Sequence, residues 1–574
     1  MFEKLNKFEK FVFNLFSLFL VFFYIYSAII QPFPVQYHRG VYVLAAYVLI
    51  LFLYKSKNPI LRIVDYFLII VSFYVVGYWI LNFTAITYRA GAETLQDQIV
   101  ALIGVIIGIE IARRVVGIVF VIIGIVMILY GVYGKYLPDI IAHPGDTLLG
   151  LATTIFFKSD GIFGVMADVI ASYVLLFVIF GAFLERSGSQ KFFIDLPIAL
   201  VGHKIGGPGK VAVIASALFG SISGSAIANT VSTGMFTIPL MKKAGFKPHI
   251  AGAIEPAASI GGMFMPPIMG AGGFIMSELT GVPYNKIMLI SLFPALMYFL
   301  SVFVLVHYYA KDNKIVGEKS DVDVKTLLKS EWYYSLPIIV ITGALLYGFS
   351  ASYSAVLGIL TTIIISWFKK KTRIDHNKFL EAVRVGVENS LTIGATVGII
   401  GIIIAVLTYS GIIVSFADIV IQLAGGNIFL TILYIGIASL ILGMGVPVTA
   451  AYLITAVVAV PALTKLGIDP IAAHMIVYWL SQDSNITPPV CIAAFTGATI
   501  AGANMWKTAF ASFIFAKYLY VAPFLFAYVP AFTLNDTPEN IIIAFILITI
   551  GTYLFSYVLS FTWWKYIKRI YQRT

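Results

Sequence analysis

Four short stretches of an otherwise apolar chain carry the residue types from which a binding site could be built: GSISGSAIANT (220–230), EPAASIGGMFMPP (255–267), GMGVPVTAAY (443–452) and SQDSNITPPV (481–490). Glycine and proline interrupt helices, and an interrupted helix exposes backbone groups. N–H groups at a half-helix start attract an anion, while carbonyls at a half-helix end can ligate a cation. The tandem prolines Pro266-Pro267 and Pro488-Pro489 remove two donors each, so neighbouring carbonyls lose their usual partners and become candidate sodium ligands. Serine and asparagine side chains in the same stretches add neutral ligands.

Two carboxylates fall inside these interruptions, Glu255 and Asp483. A charge at membrane depth is costly and faces a cavity, an ion or a hydrogen-bonding neighbour. Cation coupling or proton carriage is the functional reading of both; a helix cap or a carboxyl bonded to a nearby hydroxyl is the structural one. Enzyme motifs fail. In GGPGK (206–210) the residue six before Lys210 is Lys204 and the next is Val211, so the phosphate-loop pattern is not met. Ile222 stands where the nucleophile elbow needs serine, and no H-E-x-x-H occurs. The lone Cys491 excludes an intrachain disulfide or a multi-cysteine metal site. The chain reads as no enzyme and as needing no cofactor beyond a coupling ion.

The elements that must position these stretches are membrane helices. With 60% hydrophobic and 11% charged residues over 574 positions and a mean hydropathy of +0.95, the chain reads as an all-α polytopic membrane protein whose partner is the lipid bilayer. The net charge of +11 does not point to nucleic acid, because Lys and Arg form short clusters between apolar runs, the pattern that orients spans. Arg113 and Arg114, Arg186 and Lys191, Lys242 and Lys243, and the cluster KKKTR (369–373) all fall on one side, which places both termini in the cytoplasm. That bookkeeping requires 208–243 and 428–465 to enter and leave on the same side as re-entrant helical hairpins, leaving about 14 crossings.

An internal repeat fits this scheme. Placing Pro239 on Pro461 without gaps matches Gly245 with Gly467, Pro248 with Pro470, and Pro266-Pro267 with Pro488-Pro489. Five crossings between the hairpins, an odd number, give the copies opposite orientation, and inverted repeats with paired broken helices are a sign of secondary transporters. Glu255 aligns with Val477 and Asp483 with Gly261, so the carboxylates are not repeat equivalents.

ASALFGSISGSAIANTVSTG, IPLMKKAGFKPHIAGAIEPAASIGGMFMPPIMGAGGFIMSE, LGMGVPVTAAYL and SQDSNITPPVCIAAFTGATIAG resemble the large membrane subunit of tripartite ATP-independent periplasmic (TRAP) transporters, in the fused form that pairs with TAXI-type binding proteins. The resemblance implies a bacterial inner-membrane permease with an elevator-type architecture. Residues 1–112 would be a small-subunit-like four-helix scaffold and 113–574 the large-subunit-like transport region. It implies a periplasmic substrate-binding partner and sodium-driven, or alternatively proton-driven, symport. Carried over by position, Ser223, Ser225, Asn229, Thr230, Thr449, Asp483, Ser484, Asn485 and Thr487 would bind substrate. Sodium would be held among Ser221, Gly224, Asn229, Pro266, Gly443, Gly445, Asp483, Asn485 and Pro488, with Glu255 and Asp483 as coupling carboxylates.

One departure stands out. Some sialic-acid members use an arginine against the substrate carboxylate, whereas none of the four interruptions here contains Arg or Lys. The expected function is import of small organic acids such as C4-dicarboxylates, 2-oxoglutarate or glutamate. The alternatives are a carboxylate symporter that works without a binding protein, and an ion channel.

Overall fold

The computed structural model describes residues 2–56, 58–318, 323–444 and 446–571. Apart from one isolated β-bridge between Ile205 and Val316, the regular structure among these residues is helical. An N-terminal block comprises α1 (Lys7–Ile29), α2 (Val35–Leu53), α3 (Pro59–Tyr88), α4 (Leu95–Val115) and α5 (Ile118–Tyr133). There follow α6 (Leu148–Phe157), then α7 (Val165–Val169) and α8 (Leu175–Arg186) joined by a π-helical turn at Ile170–Val174, and α9 (Ser189–Val201).

The first copy of the repeat contains α10 (Gly207–Ser223), α11 (Ala226–Lys243), α12 (Pro248–Gly261), α13 (Gly270–Thr280) and α14 (Tyr284–Asp312). Helices α15 (Val324–Glu331), α16 (Leu336–Tyr347), α17 (Ala351–Ser366), α18 (His376–Gly394), α19 (Val397–Ser410) and α20 (Ile412–Leu423) lead to the second copy. That copy contains α21 (Ile428–Leu442), α22 (Val448–Lys465), α23 (Pro470–Leu480), α24 (Ile492–Ala501) and α25 (Met505–Phe515), followed by α26 (Tyr518–Tyr528) and α27 (Pro538–Tyr571).

The proline register reappears as helix boundaries. α22 begins and ends at the repeat equivalents of the first and last residues of α11, α23 starts at the equivalent of α12, and α24 at the equivalent of α13. The backbone agrees where an L-residue resists: Met269 and Cys491, equivalent positions before α13 and α24, both have positive φ, at 57° and 38°. Pro266-Pro267 and Pro488-Pro489 are both cis.

The copies pack reciprocally. α24 lies against α11 and α12, while α13 lies against α22 and α23, so each copy's post-proline helix seats on the other copy. Contacts that are mutual in this way are those of a two-fold relation. Phe264 and Trp479 stack across the junction with ring centroids 3.9 Å apart, and both rings lie inside the buried apolar core.

The N-terminal block is attached elsewhere. α1 and α2 pack on α18, and α4 and α5 on α19. Tyr42 Oη donates to the Ser390 carbonyl at 3.1 Å, and Gly108 and Gly398 let α4 and α19 meet backbone to backbone.

Eleven helical segments among the described residues are long and apolar enough to cross a membrane, and five apolar helices are shorter. This is a multi-pass membrane protein. The expected crossings outnumber the long spans because glycine and proline divide apolar runs into shorter helices, as at Gly411 between α19 and α20.

Candidate functional site

A cavity of about 660 Å³ lies where the two copies meet. Its wall includes the first residues of four helices: Ser225 to Ala228 at α11, Pro447 to Thr449 at α22, Gly270 and Ala271 at α13, and Ile492 at α24. Several lining residues are repeat equivalents, among them Gly224 and Val446, Ser225 and Pro447, Met263 and Asn485, and Gly270 and Ile492. The cavity therefore sits on the pseudo-two-fold itself.

Only α11 has a side-chain cap, with Ser225 Oγ accepting from the Ala228 N–H at 3.3 Å. α13, α22 and α24 have none, which leaves first-turn N–H groups uncapped beside the cavity. Four helix N-termini, each carrying partial positive charge, thus border one space. Among the described lining residues there is no Lys, Arg or His; Glu185 is the one charged residue, and Arg186 Nη1 donates to it at 3.1 Å.

The expected site residues divide into groups. Ser223, Gly224, Ser225, Thr449, Ser484 and Asn485 are brought together on the cavity wall. Gly224 forms the tip between α10 and α11 at φ 63°, a left-handed conformation that glycine adopts without penalty. Thr449 Oγ1 and Asn485 Nδ2 are buried without a hydrogen-bond partner, two groups able to donate to an acid.

Asn229 and Thr230 are turned into the hairpin instead. Asn229 Nδ2 donates to the Ser216 carbonyl at 3.1 Å, tying α11 to α10, and Thr230 Oγ1 donates to the Ala226 carbonyl at 2.8 Å. Ser221 Oγ is bonded to the Leu218 carbonyl at 2.8 Å, and Thr487 pairs with Tyr520 Oη. Gly443 abuts Ser484 beside the cavity, and Pro266 and Pro488 lie in the two breaks, half-buried. Gly445 lies outside the described residues.

The carboxylates have different surroundings. Glu255 is fully buried and accepts from Ser216 Oγ at 2.6 Å, from Thr233 Oγ1 and from Thr237 Oγ1. These hydroxyls come from α10 and α11, so Glu255 joins α12 to both arms of the hairpin. Asp483 lies in a short 3₁₀ turn, Asp483–Asn485, and its Oδ1 has no hydrogen-bond partner. Beside it Gln482 is buried with neither amide atom paired.

The breaks are thus not equivalent. Around Pro266-Pro267 the freed carbonyls are taken by tyrosines: Tyr478 Oη donates to Met263 and Met269, each at 2.6 Å, and Tyr284 Oη to Pro267 at 2.8 Å and Ile268 at 2.5 Å. Around Pro488-Pro489 it is the side chains that are unmatched. Sequence reasoning missed Gln482, and also Asn389 and Thr392 of α18, which reach the cavity from outside the repeat. Their signal was present: Glu388, Asn389, Ser390 and Thr392 form a polar run in a helix between apolar segments.

Comparison with known proteins decides the family. The model for the DctM component of tripartite ATP-independent periplasmic transporters matches residues 103–535. The chain belongs to that family. Among curated relatives, a putative TRAP transporter large permease protein of Haemophilus influenzae is 26% identical over 324 residues, covering 55% of this chain and 74% of that one. The C4-dicarboxylate TRAP transporter large permease protein DctM of Pseudomonas aeruginosa is 26% identical over 401 residues, 67% of this chain and 92% of its own length. The isethionate TRAP transporter permease protein DctMQ of Oleidesulfovibrio alaskensis is 24% identical over 378 residues, 64% and 56% respectively. As a DctM component the chain is a transporter permease and not an enzyme, and the converging helix ends are those of its broken-helix core.

Proposed function

We propose that this DctM-family chain is the permease of a binding-protein-dependent secondary transporter that imports small organic acids by cation-coupled symport. The observation that carries the reading is the convergence of four helix N-termini, three of them without side-chain caps, on a cavity at the junction of the repeats. Such a site recognises an anion without a basic side chain. Thr449 Oγ1 and Asn485 Nδ2 supply donors to a carboxylate. The relatives named for C4-dicarboxylates and for isethionate are consistent with an anionic cargo.

In this reading the repeats are inverted and the hairpins α10–α11 and α21–α22 re-entrant, moving as an elevator against a scaffold of residues 1–112 in the bacterial inner membrane, with both termini cytoplasmic. A TAXI-type periplasmic protein delivers the acid. Sodium, bound near Asp483 in the second break, drives the cycle. The test is uptake of labelled succinate, 2-oxoglutarate and glutamate into proteoliposomes, with and without the binding protein, under an inward sodium gradient. Uptake that requires both is the expected result. Robust uptake by this chain alone would overturn the partner requirement, and currents that do not saturate with the acid would overturn symport.

A further inference from the structure

The GGPGK stretch, which serves no nucleotide, sits in an unusual electrostatic position. Lys210 lies in the first turns of α10, where the helix dipole disfavours a cation, and its side chain is 6% exposed. Its Nζ donates to His307 Nδ1 of α14 at 3.0 Å and lies 5.0 Å from the centre of the Phe303 ring. Lys204 closes the turn into α10, its carbonyl accepting from the Gly207 N–H at 2.7 Å, and Lys311 follows His307 by one turn of α14.

No carboxylate lies within ion-pair distance of any of these four groups among the described residues. Two other largely buried basic side chains have carboxylate partners, Arg114 with Asp65 at 2.6 Å and Lys55 with Glu9, while a third, Lys517, donates to the Ser301 carbonyl at 3.0 Å and hydroxyl at 2.8 Å. A buried lysine against a histidine, flanked by two exposed lysines, makes a concentrated positive potential that an anion would neutralise.

The position identifies the anion's source. His307 and Lys311 lie in the last turns of Tyr284–Asp312, a helix apolar enough to cross a membrane. Beside them Tyr308 Oη meets Tyr553 Oη of α27 at 2.6 Å, and the Tyr308 ring packs against Tyr557 at 4.8 Å. Clustered tyrosines at a span's end mark the headgroup level, and basic pockets between helices at that level bind acidic headgroups.

We propose that Lys204, Lys210, His307 and Lys311 hold the phosphate of an anionic phospholipid between α10 and α14. The lipid neutralises the buried lysine and fastens the base of the first hairpin to α14.

The test uses the full chain in detergent with added phosphatidylglycerol or phosphatidylcholine, counting retained lipid by native mass spectrometry and recording thermal stability. Wild type should retain and be stabilised by phosphatidylglycerol in preference to phosphatidylcholine. Lys204→Ala and Lys311→Ala, both at exposed positions, should each weaken that retention about fivefold, as expected for loss of one cation near a headgroup. Lys210→Met should weaken it further; should it fail to fold, the two exposed variants decide. Unchanged retention in the Lys204→Ala/Lys311→Ala double variant would overturn the proposal. So would stabilisation by inorganic phosphate equal to that by phosphatidylglycerol, which would assign the site to a soluble anion.

Discussion

Gly220 and Gly262 meet backbone to backbone: a Cβ built on Gly262 would stand 2.5 Å from the Gly220 Cα. The second copy repeats the relationship between Gly443 and Ser484, where a Cβ on the glycine would stand 2.9 Å from both Ser484 Cβ and Oγ. In each copy the hairpin's first arm is pressed against the break that follows it, with no room for a side chain on the glycine.

Gly262→Ala should therefore destabilise the protein by about 1–3 kcal/mol, the usual cost of overpacking. The readout is the thermal melting midpoint. Gly551→Ala is the control: its added methyl meets nothing within 4 Å and should not lower the midpoint. Equal stability of the two variants would show that the hairpin yields freely at this contact.

Asn485→Ala and Thr449→Val each remove a donor that the fold itself leaves unused, so the effect should fall on the ligand. A hydrogen bond to a charged group contributes about 1.5–3 kcal/mol, so apparent affinity for the transported acid should fall about 10- to 100-fold. Stability should be unchanged. A large drop in melting midpoint with normal affinity would make these residues structural.

For Asp483→Asn the expected result is altered sodium dependence of uptake with a near-normal melting midpoint, because Oδ1 makes no hydrogen bond within the fold. Glu255→Gln should do the reverse. Three hydroxyls converge on that carboxylate, and one unmatched buried partner costs about 1–3 kcal/mol. Sodium titrations and melts of both variants check the contrast; a shifted sodium dependence in Glu255→Gln would assign that residue to coupling.

Tyr478→Phe tests the tyrosine plug. Its hydroxyl serves the carbonyls of Met263 and Met269 across the repeat junction, so its loss should cost about 1–3 kcal/mol and loosen the first break. Faster amide exchange at residues 263–270, measured by mass spectrometry, is the accompanying sign; unchanged exchange would leave the carbonyls held by something else.

Much of the architecture could be read before the fold was known, because its causes are local. Apolar runs make membrane helices by composition. Proline and glycine act on their own backbone, so Pro266-Pro267, Pro488-Pro489 and Gly224 mark breaks wherever the chain goes. The constant spacing from Pro239 to Pro461 and from Pro248 to Pro470 carries the repeat register, and helix boundaries repeat at that offset.

What no local pattern contains is which exposed ends meet. Ser223, Asn229, Thr230 and Thr449 are equally suited as residue types, yet of these four only Ser223 and Thr449 reach the cavity, since Asn229 and Thr230 find acceptors within their own hairpin. The two proline breaks look equivalent as strings, but Tyr478 and Tyr284 cover the carbonyls of one while Gln482, Asp483 and Asn485 stay unmatched at the other.

Composition, proline spacing and the polar interruptions were thus determined by the sequence alone, since each is a property of a residue and its chain neighbours. The reciprocal seating of α13 and α24, the cavity at their junction and the unmatched Lys210–His307 pair were decided only by tertiary structure. They depend on contacts between segments far apart in the chain, where burial and the choice of partner settle each polar group's role.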